Sequence, residues 1–258
     1  MARIIVEHAG GVVTVTLSNP GRLNAMTRDM WVSLADQWEA LNADESVRCI
    51  VLTGDGPRGF CPGNDISEFD AYRSNAEKAR ALSEIMNRGR DAILSCPHPI
   101  VARIDGACVG GGLEIAAMAD MRICTPESRF GAPLNRIGLS MAYEEMAPIR
   151  RIADRATLFE FLVAGRIIDA AEAKARGLVN RVVAKAELDA DVAATVKAIA
   201  DGPPLVHRWH KKFLDRLERP GPITDAEHDE HYLAFETEDY RIGYRAFLDK
   251  TKPEFTGR

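Results

Sequence analysis

Val13, Val15 and Leu17 alternate with Thr14 and Thr16, the two-residue period of a half-buried strand over residues 12–17. A second strand is predicted over 3–8, joined to the first at Ala9-Gly10-Gly11. The period changes after the break at Asn19-Pro20-Gly21. Met30, Trp31, Leu34, Trp38 and Leu41 share one face of a helix over about 28–42, and Thr27 is placed to cap it. Cys49-Ile50-Val51-Leu52-Thr53 is an unbroken apolar run and reads as a buried strand. A helix follows over 74–95, then a strand over 99–104, then short strands at 122–124 and 129–131. Beyond about 142 the pattern is mostly helical. It includes a helix over 170–177 stopped by Gly177, a short strand over 179–183, and helices over 187–200 and 204–218 parted by Gly202-Pro203-Pro204. The tail over 224–250 is amphipathic, with Leu233, Phe235, Tyr240, Tyr244 and Phe247 among many charges. Short strands alternating with helices predict an α/β fold.

Length and composition narrow the picture. A chain of 258 residues buries a sizeable core as one large domain or a domain with an appendage, and 46% hydrophobic with 28% charged residues is ordinary globular composition. The formal net charge is −5 and no basic cluster forms a nucleic-acid footprint. Arg150-Arg151 and His210-Lys211-Lys212 are short enough to be solvated helix faces, with a local role at an anionic ligand as the alternative. The five cysteines are odd in number, without a CxxC pair or a histidine cluster. They predict reduced thiols in a cytoplasmic protein rather than a disulfide or metal framework. Free cysteines usually behave as small hydrophobes, and a nucleophilic role for Cys61 or Cys108 is the lesser alternative. No signal peptide and no membrane-length apolar run is visible.

Residues 106–114, Gly-Ala-Cys-Val-Gly-Gly-Gly-Leu-Glu, lie between the strand over 99–104 and a helical pattern over 113–119. Consecutive glycines at the start of a helix present bare N–H groups, to which the helix dipole adds positive potential. One reading is a tight turn with Glu114 favoured by the dipole in the first helical turn. The other is an oxyanion hole beside an acid/base carboxylate. A nucleotide-phosphate loop fits poorly, because the glycine spacing is not GxGxxG and no Gly-Lys-Ser/Thr follows.

Taken in order, several segments resemble the enoyl-CoA hydratase/isomerase, or crotonase, family over nearly the full chain. They are Asn19-Pro20 with Leu23-Asn24-Ala25; Val51-Leu52-Thr53-Gly54; Phe60-Cys61-Pro62-Gly63-Asn64-Asp65-Ile66; Pro99-Ile100-Val101-Ala102; Gly110-Gly111-Gly112-Leu113-Glu114; Ala119-Asp120; and Gly165-Arg166 with Gly177-Leu178-Val179. The tail from Glu238-Asp239 to Phe255 matches as well. The resemblance implies an α/β crotonase fold, a ββα superhelix over 1–195 followed by a C-terminal helical trimerisation region over 196–258. It also implies a homotrimer or a hexamer built as a dimer of trimers, and an acyl-CoA thioester substrate, with no cofactor or metal beyond the CoA of the substrate.

By motif position, the resemblance assigns the oxyanion donors to the backbone N–H groups of Asn64 and Gly111, and general acid/base work to Glu114. The Asn64 side chain then has no part to play, so any residue but proline serves there. CoA contacts carry over to Arg22, Leu23 and Ala25, to Pro62, Asp65 and Ile66, and to Phe247 and Lys250 of the tail. Two departures stand out. Family hydratases carry a second glutamate twenty residues after the first, where this chain has Leu134, and the start of the next helix is rebuilt as Met141-Ala142-Tyr143-Glu144-Glu145. Three explanations follow: Glu114 does both proton transfers, or Tyr143, Glu144 or Glu145 reaches the site, or the reaction differs. The expected function is enoyl-CoA hydration or isomerisation through a thioester enolate. The alternatives are an acyl-CoA decarboxylase or hydrolase on the same scaffold, or an acyl-CoA-binding protein without turnover.

Overall fold

A computed structural model describes residues 1–258. β1 (Arg3–Ala9) and β2 (Val12–Ser18) form an antiparallel pair, and α1 (Arg28–Ala43) follows, its first turn capped by the Thr27 hydroxyl accepting from the Met30 N–H. Then come β3 (Cys49–Gly54), β4 (Gly59–Cys61), α2 (Phe69–Tyr72), α3 (Ala76–Leu94), β5 (Ile100–Ile104), β6 (Ala107–Val109) and α4 (Gly111–Ala117). After these, β7 (Met121–Cys124) and β8 (Arg129–Gly131) lead to α5 (Tyr143–Ile152), α6 (Arg155–Leu162), β9 (Ile167–Asp169), α7 (Ala170–Ala175) and β10 (Arg181–Val182). Four helices finish the chain: α8 (Leu188–Ala200), α9 (Pro204–Leu217), α10 (Asp225–Glu230) and α11 (Glu238–Asp249). No helix is long and apolar enough to cross a membrane.

Three steps of the chain share one plan. β3, β5 and β7 lie in a six-stranded sheet of order β1-β2-β3-β5-β7-β10, and after each of them the chain turns into a three-residue strand, β4, β6 or β8, of a second sheet ordered β4-β6-β8-β9. Within that smaller sheet β4, β6 and β8 run parallel, and β9 is antiparallel to β8. The expectation of a strand running straight into the glycine turn is corrected here: β6 intervenes in the second sheet before α4 begins.

At its centre the six-stranded sheet is buried on both faces, which explains the unbroken apolar run of β3, while β2 keeps the alternation of a half-buried strand. Ile50, Leu52, Ile100 and Ala102 join the main core with Trp31, Leu34 and Trp38 of α1. Cys49, Val51, Val101 and Ile123 face the other way, against Leu188, Val192 and Val196 of α8. The division expected at 195/196 therefore falls within α8, a helix that covers the sheet.

The two sheets meet by backbone contact. A Cβ at Gly112 would lie 1.9 Å from the Cys61 carbonyl oxygen, and one at Gly54 would lie 2.3 Å from that of Phe60. Only glycine permits such approaches. Gly112→Ala is expected to cost on the order of 3 kcal/mol, since backbone must move to admit the methyl group. Gly21→Ala, which meets open space, is expected to stay within about 0.5 kcal/mol of the parent. Urea denaturation of both variants measures the difference, and equal stabilities would show that the contact is soft.

Candidate active site

The register of the small sheet aligns its strand ends. Cys61 pairs with Cys108, Cys108 with Phe130, and Val109 with Gly131. The residues leaving β4, β6 and β8 therefore emerge along one edge: Pro62-Gly63-Asn64, Gly110-Gly111 and Ala132-Pro133-Leu134. Ligands of parallel α/β sheets bind beyond the carboxyl ends of the strands. A cavity of about 250 Å³ lies there, lined among others by Asn64, Arg73, Gly111, Glu114, Leu134 and Glu145. A cleft of about 1010 Å³ between the end of α3 and helices α9 and α10 is larger, but none of these residues lines it.

At this edge the N–H groups of Asn64 and Gly111 have no acceptor within the protein. Gly111 is the first residue of α4, so its N–H has no intrahelical partner. The two peptides are neighbours: a Cβ at Gly111 would lie 3.8 Å from the Asn64 nitrogen, and one at Gly63 would lie 3.1 Å from the Gly111 nitrogen. Gly63 adopts φ of 109°, a conformation open to glycine. Hydrogen bonds from Met26 N–H to Gly63 O and from Asp65 N–H to Met26 O, each 2.8 Å, brace the Asn64 peptide on both sides. The Asn64 side chain points elsewhere, and its Oδ1 accepts from the Trp31 indole N–H at 2.7 Å. The expectation that this side chain is without a role is corrected: it anchors the peptide to α1, and a substitution would leave a buried indole N–H without its partner.

Glu114 occupies the first turn of α4 and is almost wholly buried, at 1% side-chain exposure. Arg90 of α3 meets it at 2% exposure, with Nε donating to Oε1 at 2.7 Å and Nη2 in ion-pair contact with the same oxygen at 2.6 Å. Oε2 accepts no hydrogen bond from the protein. Arg90 is steadied in turn by Asn87, whose Oδ1 accepts from Nη1. Gly89 sets the distance, because a Cβ there would come within 3.2 Å of the Trp31 ring and hold α3 away from α1. Burial pushes the Glu114 carboxyl up to about 7, against the pull of Arg90; Glu145 pushes it further up and Arg73 lowers it. Such a group changes protonation near neutral pH, as a general acid/base must.

Of the three residues offered as a second proton-transfer group, one lines the cavity. Glu145 does so, its Oε2 accepting from the Ala142 N–H at 2.9 Å as it caps α5. Tyr143 is 88% exposed, and Glu144 is exposed and off the cavity wall. Leu134 lines the cavity as an apolar wall beside Pro133, Ile137, Leu139 and Met141.

Among the residues expected at CoA, Pro62 and Ile66 line the cavity, and Ile66 is largely exposed at its mouth. Asp65 is buried and caps the turn that follows, accepting from the Ser67 N–H and hydroxyl. Arg22 and Leu23 are exposed on the neighbouring turn, and Ala25 is buried beneath it. Phe247 and Lys250 are exposed at the end of α11 and line no part of the cavity in the single chain. The candidate nucleophiles are corrected. Cys61 and Cys108 are fully buried, burial pushes the Cys61 thiol up to about 12 and the Cys108 thiol well above its ordinary range, and neither is disulfide-bonded. The sequence reading missed Arg90 and Arg73. Arg90 carried a signal, since Leu82, Met86, Arg90 and Ile93 form one stripe of α3, an arginine where the helical period asks for an apolar residue.

The sequence profile of the enoyl-CoA hydratase/isomerase family matches residues 7–258. The chain is 28% identical to the 1,2-epoxyphenylacetyl-CoA isomerase of Escherichia coli K12 over all of both chains. It is also 28% identical to the crotonyl-CoA hydratase of Syntrophomonas wolfei, over 99% of this chain and 98% of that one. The crystal structure of an enoyl-CoA hydratase/carnithine racemase from Magnetospirillum magneticum superposes with a TM-score of 0.97 at 47% identity, covering 100% of this chain and 97% of the other. That of an enoyl-CoA hydratase from Mycobacterium smegmatis gives 0.89 at 31%, covering 98% of each. The fold is the crotonase fold.

If Glu114 takes a proton from substrate, kcat/KM rises with pH through a limb near 7, because only the ionised form is a base. Arg90 lowers the Glu114 pKa, so Arg90→Gln is expected to move that limb to higher pH. A pH–rate profile of the parent and of Arg90→Gln reads this directly. A limb that stays in place would detach Arg90 from the ionisation of Glu114.

Proposed function

The chain belongs to the enoyl-CoA hydratase/isomerase family, and we propose that it moves protons on acyl-CoA thioesters through an enolate, as a hydratase or isomerase. The observation that carries this reading is the convergence, on one cavity, of two acceptor-free backbone N–H groups and a buried carboxylate poised near neutrality. The thioester oxygen gains negative charge as the enolate forms. Asn64 and Gly111 N–H groups stabilise that charge without reorganising, each worth about 3–4 kcal/mol in the transition state. Glu114, held through Oε1 by Arg90, keeps Oε2 for the proton.

Glu145 supplies the second carboxylate that position 134 lacks. In hydration, one carboxylate takes a proton from water as its oxygen attacks the β-carbon, and a proton is delivered to the α-carbon as the enolate collapses. Two groups divide that work. Isomerisation needs one group that removes a proton and returns it to another carbon, and the apolar Leu134 wall favours it as a second reading. Copies are inferred to associate through the C-terminal helices as trimers or pairs of trimers, since Leu214, Leu217, Tyr232 and Leu233 are exposed there.

Incubation with 2-enoyl-CoA and 3-enoyl-CoA thioesters, followed by mass spectrometry and NMR, separates the reactions: hydration adds a water mass and isomerisation moves a double bond. Loss of carbon dioxide or release of free CoA would replace this reading with decarboxylation or hydrolysis, and no change in any thioester would leave a binding protein. Glu114→Gln is expected to lower turnover by about 10²–10⁴-fold with the fold intact. Glu145→Gln is expected to suppress hydration by a similar order, about 10²-fold or more, and to spare isomerisation if Glu114 alone carries it. Full hydratase activity in Glu145→Gln would reduce that residue to a helix cap. Sedimentation is expected to give three or six times the 28.3 kDa chain mass, and a monomer would refute the assembly.

A further inference from the structure

Each charged group of the cavity meets a strong hydrogen-bond partner, with one exception. Glu114 is paired with Arg90, Glu145 is bonded to the first N–H of its helix, and the Arg136 guanidinium donates to the Gly165 carbonyl at 2.7 Å. Arg73 also lines the cavity, at the end of α2, and has no carboxylate within ion-pair distance. Its Nε is buried without a hydrogen-bond partner, and its Nη2 meets only the Met86 sulfur, a weak acceptor, at 3.1 Å. The guanidinium lies over the Phe69 ring, 5.2 Å from the centroid. A cation–π contact of about 0.5–2 kcal/mol offsets part of the cost of sequestering this charge, and a neutral ligand would leave the remainder uncompensated. The rest of the wall is largely apolar, and the cavity is small, about 250 Å³. Short, apolar in its middle and in need of one negative charge describes the complement of this space.

We propose that Arg73 receives a carboxylate carried on the acyl group, so that the substrates are short ω-carboxyacyl thioesters of CoA. The proposal rests on the acyl-CoA reading above and adds the substrate class to it. A planar guanidinium suits a carboxylate because it donates two parallel hydrogen bonds.

The test measures binding by isothermal titration calorimetry with saturated thioesters in pairs matched by carbon number: succinyl- with butyryl-CoA, glutaryl- with pentanoyl-CoA, and adipyl- with hexanoyl-CoA. In at least one pair the dicarboxylic thioester is expected to bind the parent protein about 10-fold or more tightly than its neutral partner, the scale of a hydrogen bond to a charged group. In Arg73→Met that ratio is expected to fall to about one. Arg73→Lys, which keeps the charge and loses the fork, is expected to hold an intermediate ratio and covers the case in which the methionine variant does not fold. The inference is overturned if no pair favours the diacid, or if the preference survives in Arg73→Met. It is equally overturned if both members of every pair weaken together, which would assign Arg73 to the CoA phosphates. Failure of every thioester to bind the parent protein would sink the acyl-CoA reading, and the inference with it.

Discussion

The carbonyl of Cys61 and the backbone of Gly112 lie so close that a single added carbon would sit 1.9 Å from the oxygen. The rest of the site depends on this contact. It presses the end of β4 against the first turn of α4, and with the Cys61–Cys108 register it sets the peptides of residues 63 and 64 beside that of Gly111. Two N–H groups then point at one place with nothing in the protein to accept them. A buried donor without a partner costs free energy in the empty protein. That cost is met by the tight packing around it, and an acceptor bound there would recover it. Because the donors are backbone groups, braced by Met26 on one side and begun by a helix on the other, they have little freedom to rearrange.

The second element of the site is the burial of Glu114. A carboxylate at 1% exposure would lose its charge without compensation, and Arg90 prevents this. The pair is weak evidence for stability, since desolvating both groups offsets most of their attraction. Its effect is on the proton. Burial raises the carboxyl and Arg90 draws it back, so the group comes to rest near neutrality rather than at either extreme. Both Arg90 contacts fall on Oε1, which fixes the orientation of the carboxylate while leaving the other oxygen for chemistry. Arg90 reaches this place because Gly89 allows α3 to rest on Trp31, and Trp31 also holds the Asn64 side chain. One indole ring thereby links the packing beneath the Arg90–Glu114 pair to the Asn64 peptide.

Much of this was legible in the sequence where a period is long enough to be read. The apolar stripe of α1 and the alternation of β2 placed both elements to within a residue or two of their observed ends. Residues 106–114 announced the N–H groups and Glu114 because glycine runs and a following carboxylate are local signals. β4, β6 and β9 were not read, their pairing being set by distant partners, although β8, equally short, was placed at its observed residues 129–131. The tail was legible as amphipathic, but its broken course through α10, a tight helical turn and α11 was not. Arg90 and Arg73 lie 24 and 41 positions before Glu114, within segments whose charge pattern resembles solvated helix. Only the four-residue spacing from Leu82 to Met86 to Arg90 marked one of them as inward-facing. Glu145 was one of three candidates, and which one reaches the cavity follows from the direction of α5, a property of packing rather than of sequence.

The departure at position 134 is explained by the same architecture. The two acceptor-free N–H groups belong to main chain at the ends of β4 and β6, and those peptides are constrained by the backbone contacts of Gly63 and Gly112. The side chains at the end of β8 and the start of α5 border the cavity without bracing the two donors. Position 134 therefore carries an apolar side chain without bearing on the donors, while the Glu145 carboxylate lines the same cavity from α5. Its position is constrained by an independent requirement, since Glu145 also satisfies the first N–H of its own helix. A side chain with two duties is less free to turn toward substrate. The capping bond at 2.9 Å uses Oε2, which leaves Oε1 as the oxygen available to a water or a substrate proton. The two carboxylates thus share one arrangement: in each, the protein holds one oxygen and leaves the other for the cavity.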